Sequence, residues 1–126
     1  MALKLTLIVS SIYLAAVGLA LIFAPLQFGI GAVPPSASPE LIAFLRLLGG
    51  PLLGIAVLNW LSRNEEPSPA RNAIVISNVV GFGAVAINDV FSVSSGEARE
   101  AAKIFLVAHL LFTFAFVFFG RPRLDG

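Results

Sequence analysis

The chain has 126 residues, the size of one domain, with 58% hydrophobic and 12% charged residues and a mean hydropathy of +0.96, where a soluble domain carries roughly 25% charged residues. Eight Lys and Arg against seven Asp and Glu leave a net charge of +1, so there is no basic field to neutralise nucleic-acid phosphates. The absence of cysteine excludes disulfides, thiolate metal sites, iron–sulfur clusters and thiol nucleophiles, and any redox chemistry would need a bound cofactor, of unknown identity.

Four apolar runs, near 5–23, 41–61, 72–93 and 101–119, are each long enough to cross a bilayer, since about 20 helical residues at about 1.5 Å span the roughly 30 Å hydrocarbon core. Backbone groups in lipid must be bonded internally, and these lengths exceed the roughly 10 residues of a barrel strand, so the runs are helices. The expected fold class is all-α: an antiparallel four-helix membrane bundle, one transmembrane domain over 1–126, with helices over 4–24, 39–62, 69–93 and 97–119. A multi-pass protein of a bacterial inner (plasma) membrane is the expected location.

The first run follows Met1-Ala2-Leu3-Lys4, a pattern that also suits a signal peptide with Gly18-Leu19-Ala20 as a tolerable cleavage motif. The apolar run continues through Leu21-Ile22-Phe23 past that motif, which favours a retained span. Tyr13 lies near mid-depth in this helix. The connection after it, 25–38, holds Phe28, Ile30 and Val33 among Gly and Pro; it would lie on the membrane surface or fold partly over the bundle.

The second run opens with Ser38-Pro39-Glu40, a capping hydroxyl, a proline at the first helical position and an early acid that suits the helix dipole. Within it, Gly49 and Gly50 share a face with Arg46, and Gly50 and Gly54 form a small-xxx-small pair that admits another backbone, so this face is expected to point into the bundle. Pro51 removes a backbone donor and clashes with the carbonyl of Leu47, predicting a kink near Gly50. Two readings follow: a kink that packs, or an opened helix offering backbone polar groups to a ligand, as in transporter sites. Asn59, near the inner end, could bridge to the Asn72 region or face headgroups.

Ser68-Pro69 repeats the cap-and-proline start before the third helix, and Ser94-x-x-Glu97 has capping-box spacing before the fourth. The short connections make sequential helices antiparallel neighbours. The third helix carries Ser77, Gly81, Ala84 and Asn88 on one stripe and Asn78, Phe82, Val85 and Asp89 on the next, small and polar residues that mark its packed side. In the fourth helix His109 lies near the midplane, with Thr113 one turn on and Ala102, Leu106 and Phe116 on the same broad face, and six phenylalanines surround the axis. Lys4, Arg63, Arg71, Arg121 and Arg123 fall on one side of the membrane and Arg99 and Lys103 on the other, placing both termini in the cytoplasm and Trp60 at that interface.

Three ionisable groups lie within the spans, where a charge at the centre costs about 2.5 to 3.5 kcal/mol. Arg46, about 9 Å from the outer end of its helix, and Asp89, about 6 Å from the outer end of its own, are at similar depth on neighbouring helices. They are expected to form an ion pair in the outer leaflet, either fixing helix register or presenting the guanidinium fork to an anionic or carbonyl headgroup. His109 is expected to donate to backbone or a hydroxyl of a neighbouring helix, with Tyr13 as a candidate partner. A lone histidine excludes a bis-histidine haem or His-rich metal site. The inner half is expected to be mostly apolar.

The segment 44–63, FLRLLGGPLLGIAVLNWLSR, with its Arg46-x-x-Gly49 element, resembles the glycine-rich second helix of small four-helix membrane proteins of the DoxX-like group. Phe23-Ala24-Pro25 closing the first helix is similar too. The resemblance covers about a quarter of the chain at motif level; it implies the four-helix bundle, matches Arg46 to the family's arginine and supplies no reaction. Three functions remain in view. The leading one is a non-enzymatic subunit of a larger membrane assembly or a homo-oligomer, touching partners through its glycine faces and its phenylalanine-rich fourth helix. The second is a binding protein or carrier for a lipid-like molecule or quinone, with the headgroup near Arg46, Asn88 and Asp89. The third is an enzyme on a lipophilic substrate using Asp89 or His109 as acid or base, weakened by the scarcity of converging polar groups. Membrane lipids surround the protein in all three.

Overall fold

A computed structural model describes residues 1–121; Arg123, which entered the charge count, lies outside the described residues. Those residues form helices and turns and no strand: α1 (Ala2–Phe23), the short α2 (Pro25–Phe28), α3 (Pro39–Leu61), α4 (Pro69–Ser94) and α5 (Ala101–Phe119), with a 3-10 turn at Ser62–Asn64. Among them, α1, α3 with its 3-10 extension, α4 and α5 are long and apolar enough to cross a membrane.

The expected starts of α3 and α4 are formed by the expected atoms. Ser38 Oγ accepts from the Leu41 amide at 3.3 Å and Ser68 Oγ from the Arg71 amide at 3.1 Å, with Pro39 and Pro69 opening the helices. Each cap satisfies an amide that the first turn leaves without a carbonyl. The third start differs from expectation. The Ser94 hydroxyl donates to the Phe91 carbonyl at 3.0 Å, so Ser94 is the last residue of α4 and no capping box forms with Glu97. The chain turns at Gly96, whose φ of +77° favours a residue without a side chain, and α5 begins at Ala101 rather than at 97. Helix α3 runs unbroken through Pro51.

The chain divides into two compact units. One comprises Ile8–Leu61, and the other Met1–Leu7 together with the described residues from Ser62 to Arg121. In the first unit, α1 meets α3 backbone to backbone. A Cβ built on Gly49 would lie 2.5 Å from the Gly18 carbonyl oxygen and 2.6 Å from Ile22 Cγ1, and one on Gly18 would lie 2.9 Å from the Gly49 carbonyl oxygen. Such separations leave no room for a methyl group on either helix. Further along, the Ser11 hydroxyl donates to the Ala56 carbonyl at 2.7 Å and Asn59 Nδ2 donates to Ser10 Oγ at 3.0 Å. Ser10 and Asn59 are fully buried. These bonds follow the rule that apolar helices, which gain nothing by leaving equally apolar lipid, adhere through small residues and interhelical hydrogen bonds. Helix α2 touches α3.

In the second unit, α4 and α5 pack through rings. Phe82 stacks on Phe112 at 4.7 Å between centroids and on Phe116 at 6.0 Å, and Phe116 is completely buried. At the far end of α5, Gly120 lies directly against Val75, which a Cβ at 120 would strike. The contacts Asp89 to His109, Gly83 to Thr113 and Val75 to Gly120 succeed one another in opposite chain directions along the two helices. The phenylalanines of α5 are therefore divided: Phe116 faces inward, Phe105 and Phe112 are half-buried, and Phe114, Phe118 and Phe119 are exposed.

The polar core departs from expectation. Thr6, Ser62 and Asn78 are buried in one unit and Ser10, Ser11 and Asn59 in the other, so hydroxyls and amides occupy helix segments expected to be mostly apolar. Thr6 Oγ1 donates to the Ala2 carbonyl at 3.0 Å and Asn78 Nδ2 to the Ile74 carbonyl at 2.9 Å, so part of this polarity is met within each helix. Asn59, expected to bridge to the Asn72 region or to face headgroups, is fully buried and bonds Ser10.

Candidate functional site

The ionisable residues of α4 and α5 meet within one unit. Asp89 lies about 8 Å from the end of α4 and His109 about 12 Å from the start of α5 at about 1.5 Å per residue. The six-residue turn 95–100 staggers the helices enough to bring them level. His109 Nδ1 is 2.5 Å from Asp89 Oδ2, with the side chains 12% and 15% exposed. An ionised carboxylate can only accept, so in that state Nδ1–H is the donor and the ring is held in one orientation. The carboxylate of Asp89 is thus a partner of His109 that the sequence reading did not assign. An Asp alone in lipid would bear the larger cost, and His109 is the residue of α5 that reaches it. Thr113, one turn on, turns its hydroxyl back to the His109 carbonyl at 2.7 Å.

Two aromatic rings flank the His109 ring. Phe82 lies 6.1 Å and Phe105 6.3 Å from the His109 ring, centroid to centroid, and the Arg99 guanidinium sits 5.6 Å above the Phe105 ring. Apolar walls of this kind keep water from competing for a hydrogen bond and strengthen it. An acid and an imidazole held together in a low-dielectric slot can donate to or accept from a polar headgroup, or serve as an interhelical clamp.

The remaining candidates are distributed elsewhere. Arg46 is exposed on α3 and makes no ion pair or hydrogen bond within its own unit among the described residues. Asp89 belongs to the other unit, where His109 engages it, and its expected pairing with Arg46 stays a proposal. Tyr13 is half-buried on α1, and its partnership with His109 likewise crosses the units and stays an expectation. Asn88, next to Asp89 in sequence, is exposed.

The glycines are sorted by the fold. Gly49 is buried against Gly18, whereas the positions where a Cβ would stand on Gly50, Gly54 and Gly81 have nothing within 4 Å. The face of α3 bearing Arg46, Gly50 and Gly54, expected to point inward, is open. On α4 the two stripes part company: Ser77, Gly81, Ala84 and Asn88 are exposed, as is Val85 of the second stripe, whereas Asn78 and Phe82 of that stripe are buried together with Val75 and Ala86. The physical reason is that Phe82 fills more of the space between helices than any small residue of the other stripe. Sequence reasoning missed Gly18, Ser10 and Ser11. The available signal was the seven-residue spacing of Ser11 and Gly18, two small residues on one side of α1. Comparison with protein-family models, curated proteins and solved structures finds no match for this chain.

Proposed function

We propose that this protein is a non-catalytic, multi-pass subunit of a bacterial inner-membrane assembly, a four-helix antiparallel bundle with both termini in the cytoplasm that acts by lateral contact with another membrane protein. The distribution of Lys4, Arg63, Arg71 and Arg121 against Arg99 and Lys103 supports the orientation, and the DoxX-like character of 44–63 supports the bundle. The observation that carries the reading is the exposed stripe Ser77, Gly81, Ala84 and Asn88 on α4. Lipid tails offer no partner to the Asn88 amide, about 9 Å from the helix end. Nor do they benefit from small side chains, whereas a facing helix uses both. Extraction of the native membrane in mild detergent, followed by mass measurement of the intact particle, tests it. Wild type is expected to leave with a second protein in fixed stoichiometry, and the variant Gly81→Leu with Asn88→Leu without it. A wild-type particle free of any second protein would sink the proposal.

The Asp89–His109 pair favours a second reading, a binding protein or carrier for a lipid-like molecule whose polar head bonds to the pair while Phe82 and Phe105 flank it. Under that reading Asp89→Asn and His109→Gln each lose a co-purified small molecule that mass spectrometry finds with wild type, and loss of a protein partner is not expected.

A further inference from the structure

Six exposed residues of α3, Ala43, Leu47, Gly50, Gly54, Val57 and Leu61, are spaced alternately by four and three. That is the 3.5-residue period of a left-handed helix pair, in which these positions form the central seam. The two glycines sit in its middle with open space beside them, which lets a second backbone approach. The same segment holds two unmet polar groups. Pro51 stands inside the helix and lacks an amide hydrogen, so the carbonyl of Leu47 loses its helical donor. Arg46, exposed on the flank of the seam, has donors without a bond within its unit. Left in lipid, both groups are costly.

We propose that a second copy of this chain docks on α3, the two α3 helices pairing in parallel about a twofold axis normal to the membrane. Copies inserted with the same orientation can meet only in parallel, and a twofold contact makes every interaction reciprocal. In a parallel seam a residue flanking it on one helix meets the opposite flank of its neighbour five residues on. For Arg46 that position is Pro51 of the other copy, where the Leu47 carbonyl has no donor. Each guanidinium thereby donates to the other copy's Leu47 carbonyl, and the two arginines lie on opposite sides of the seam rather than against each other. The inference stands on α3 alone and does not need the α4 face to find a partner.

The natural absence of cysteine makes disulfide trapping in native membranes the direct test. Single cysteines at Leu47, Gly50, Gly54 and Val57 are expected to give a disulfide-linked dimer of this chain. Cysteines at Leu48 and Ile55, exposed but off the seam, are expected to stay monomeric. Arg46→Gln and Pro51→Ala, the latter restoring the missing amide, are each expected to lower dimer affinity about tenfold, from two reciprocal hydrogen bonds of about 0.6 kcal/mol each; energy transfer between labelled copies in vesicles measures it. Pro51→Ala also removes a helix breaker, so its effect cannot come from failure to fold. Equal cross-linking on and off the seam, cross-links only to a different protein, or an anionic lipid retained by Arg46 with no dimer would each overturn the proposal. So would dimer affinity unchanged in both variants. Failure of the α4 partner test with a positive α3 cross-link would refute only the heteromeric subunit.

Discussion

The two units hold their helices together by opposite means. Where α1 crosses α3, backbones touch at Gly18 and Gly49 and the bonds are short ones from Ser10, Ser11 and Asn59. Where α4 crosses α5, side chains fill the gap, with stacked Phe82, Phe112 and Phe116 and the long reach of Asp89 to His109. The contrast shows two solutions to one problem. Inside a membrane no hydrophobic gain draws helices together, so adhesion comes from dispersion at close range or from hydrogen bonds that lipid cannot replace. A close crossing is intolerant of added volume, and a ring-filled crossing is intolerant of a lost polar partner.

That comparison can be broken at its strongest point first. His109→Leu leaves the Asp89 carboxylate without its partner and is expected to cost about 3 kcal/mol in unfolding by SDS in mixed micelles, followed by the single Trp60. Replacing both residues by leucine is expected to recover most of that loss, because a missing pair is cheaper than half of one. A double variant as unstable as the single one would show that the carboxylate is not what His109 serves. Next in size, Gly49→Ala is expected to cost about 1 to 3 kcal/mol by overpacking. Gly50→Ala, one residue on, where the chain itself leaves open space, is expected to be neutral for the monomer or to gain it up to about 1 kcal/mol from helix propensity. If circular dichroism in the same titration ranked the two alike, the backbone crossing at Gly18 would be wrong. The smallest effect is Asn59→Val, which removes one interhelical bond to Ser10 and should cost about 0.6 to 1.7 kcal/mol.

The four apolar spans and the caps at Ser38 and Ser68 were legible in the sequence, because each depends on a few consecutive residues and on the thickness of the bilayer. A hydroxyl before a proline caps a helix whatever lies around it. The facing of the helices was not legible. In water an apolar stripe identifies the buried side, but here lipid and core are both apolar, so Gly49 and Gly50 or the Ser77 and Asn78 stripes read alike. Only the packing distinguishes them, by the volume of Phe82 and the approach of Gly18. The partner of His109 was hidden for a related reason: helix ends at Ser94 and Ala101, not the apolar runs, set the stagger that levels it with Asp89. Local chemistry therefore settles which segments are long and apolar enough to cross and where α3 and α4 begin. Which side of each helix meets protein and which meets lipid is settled by shape, since hydropathy is the same on both.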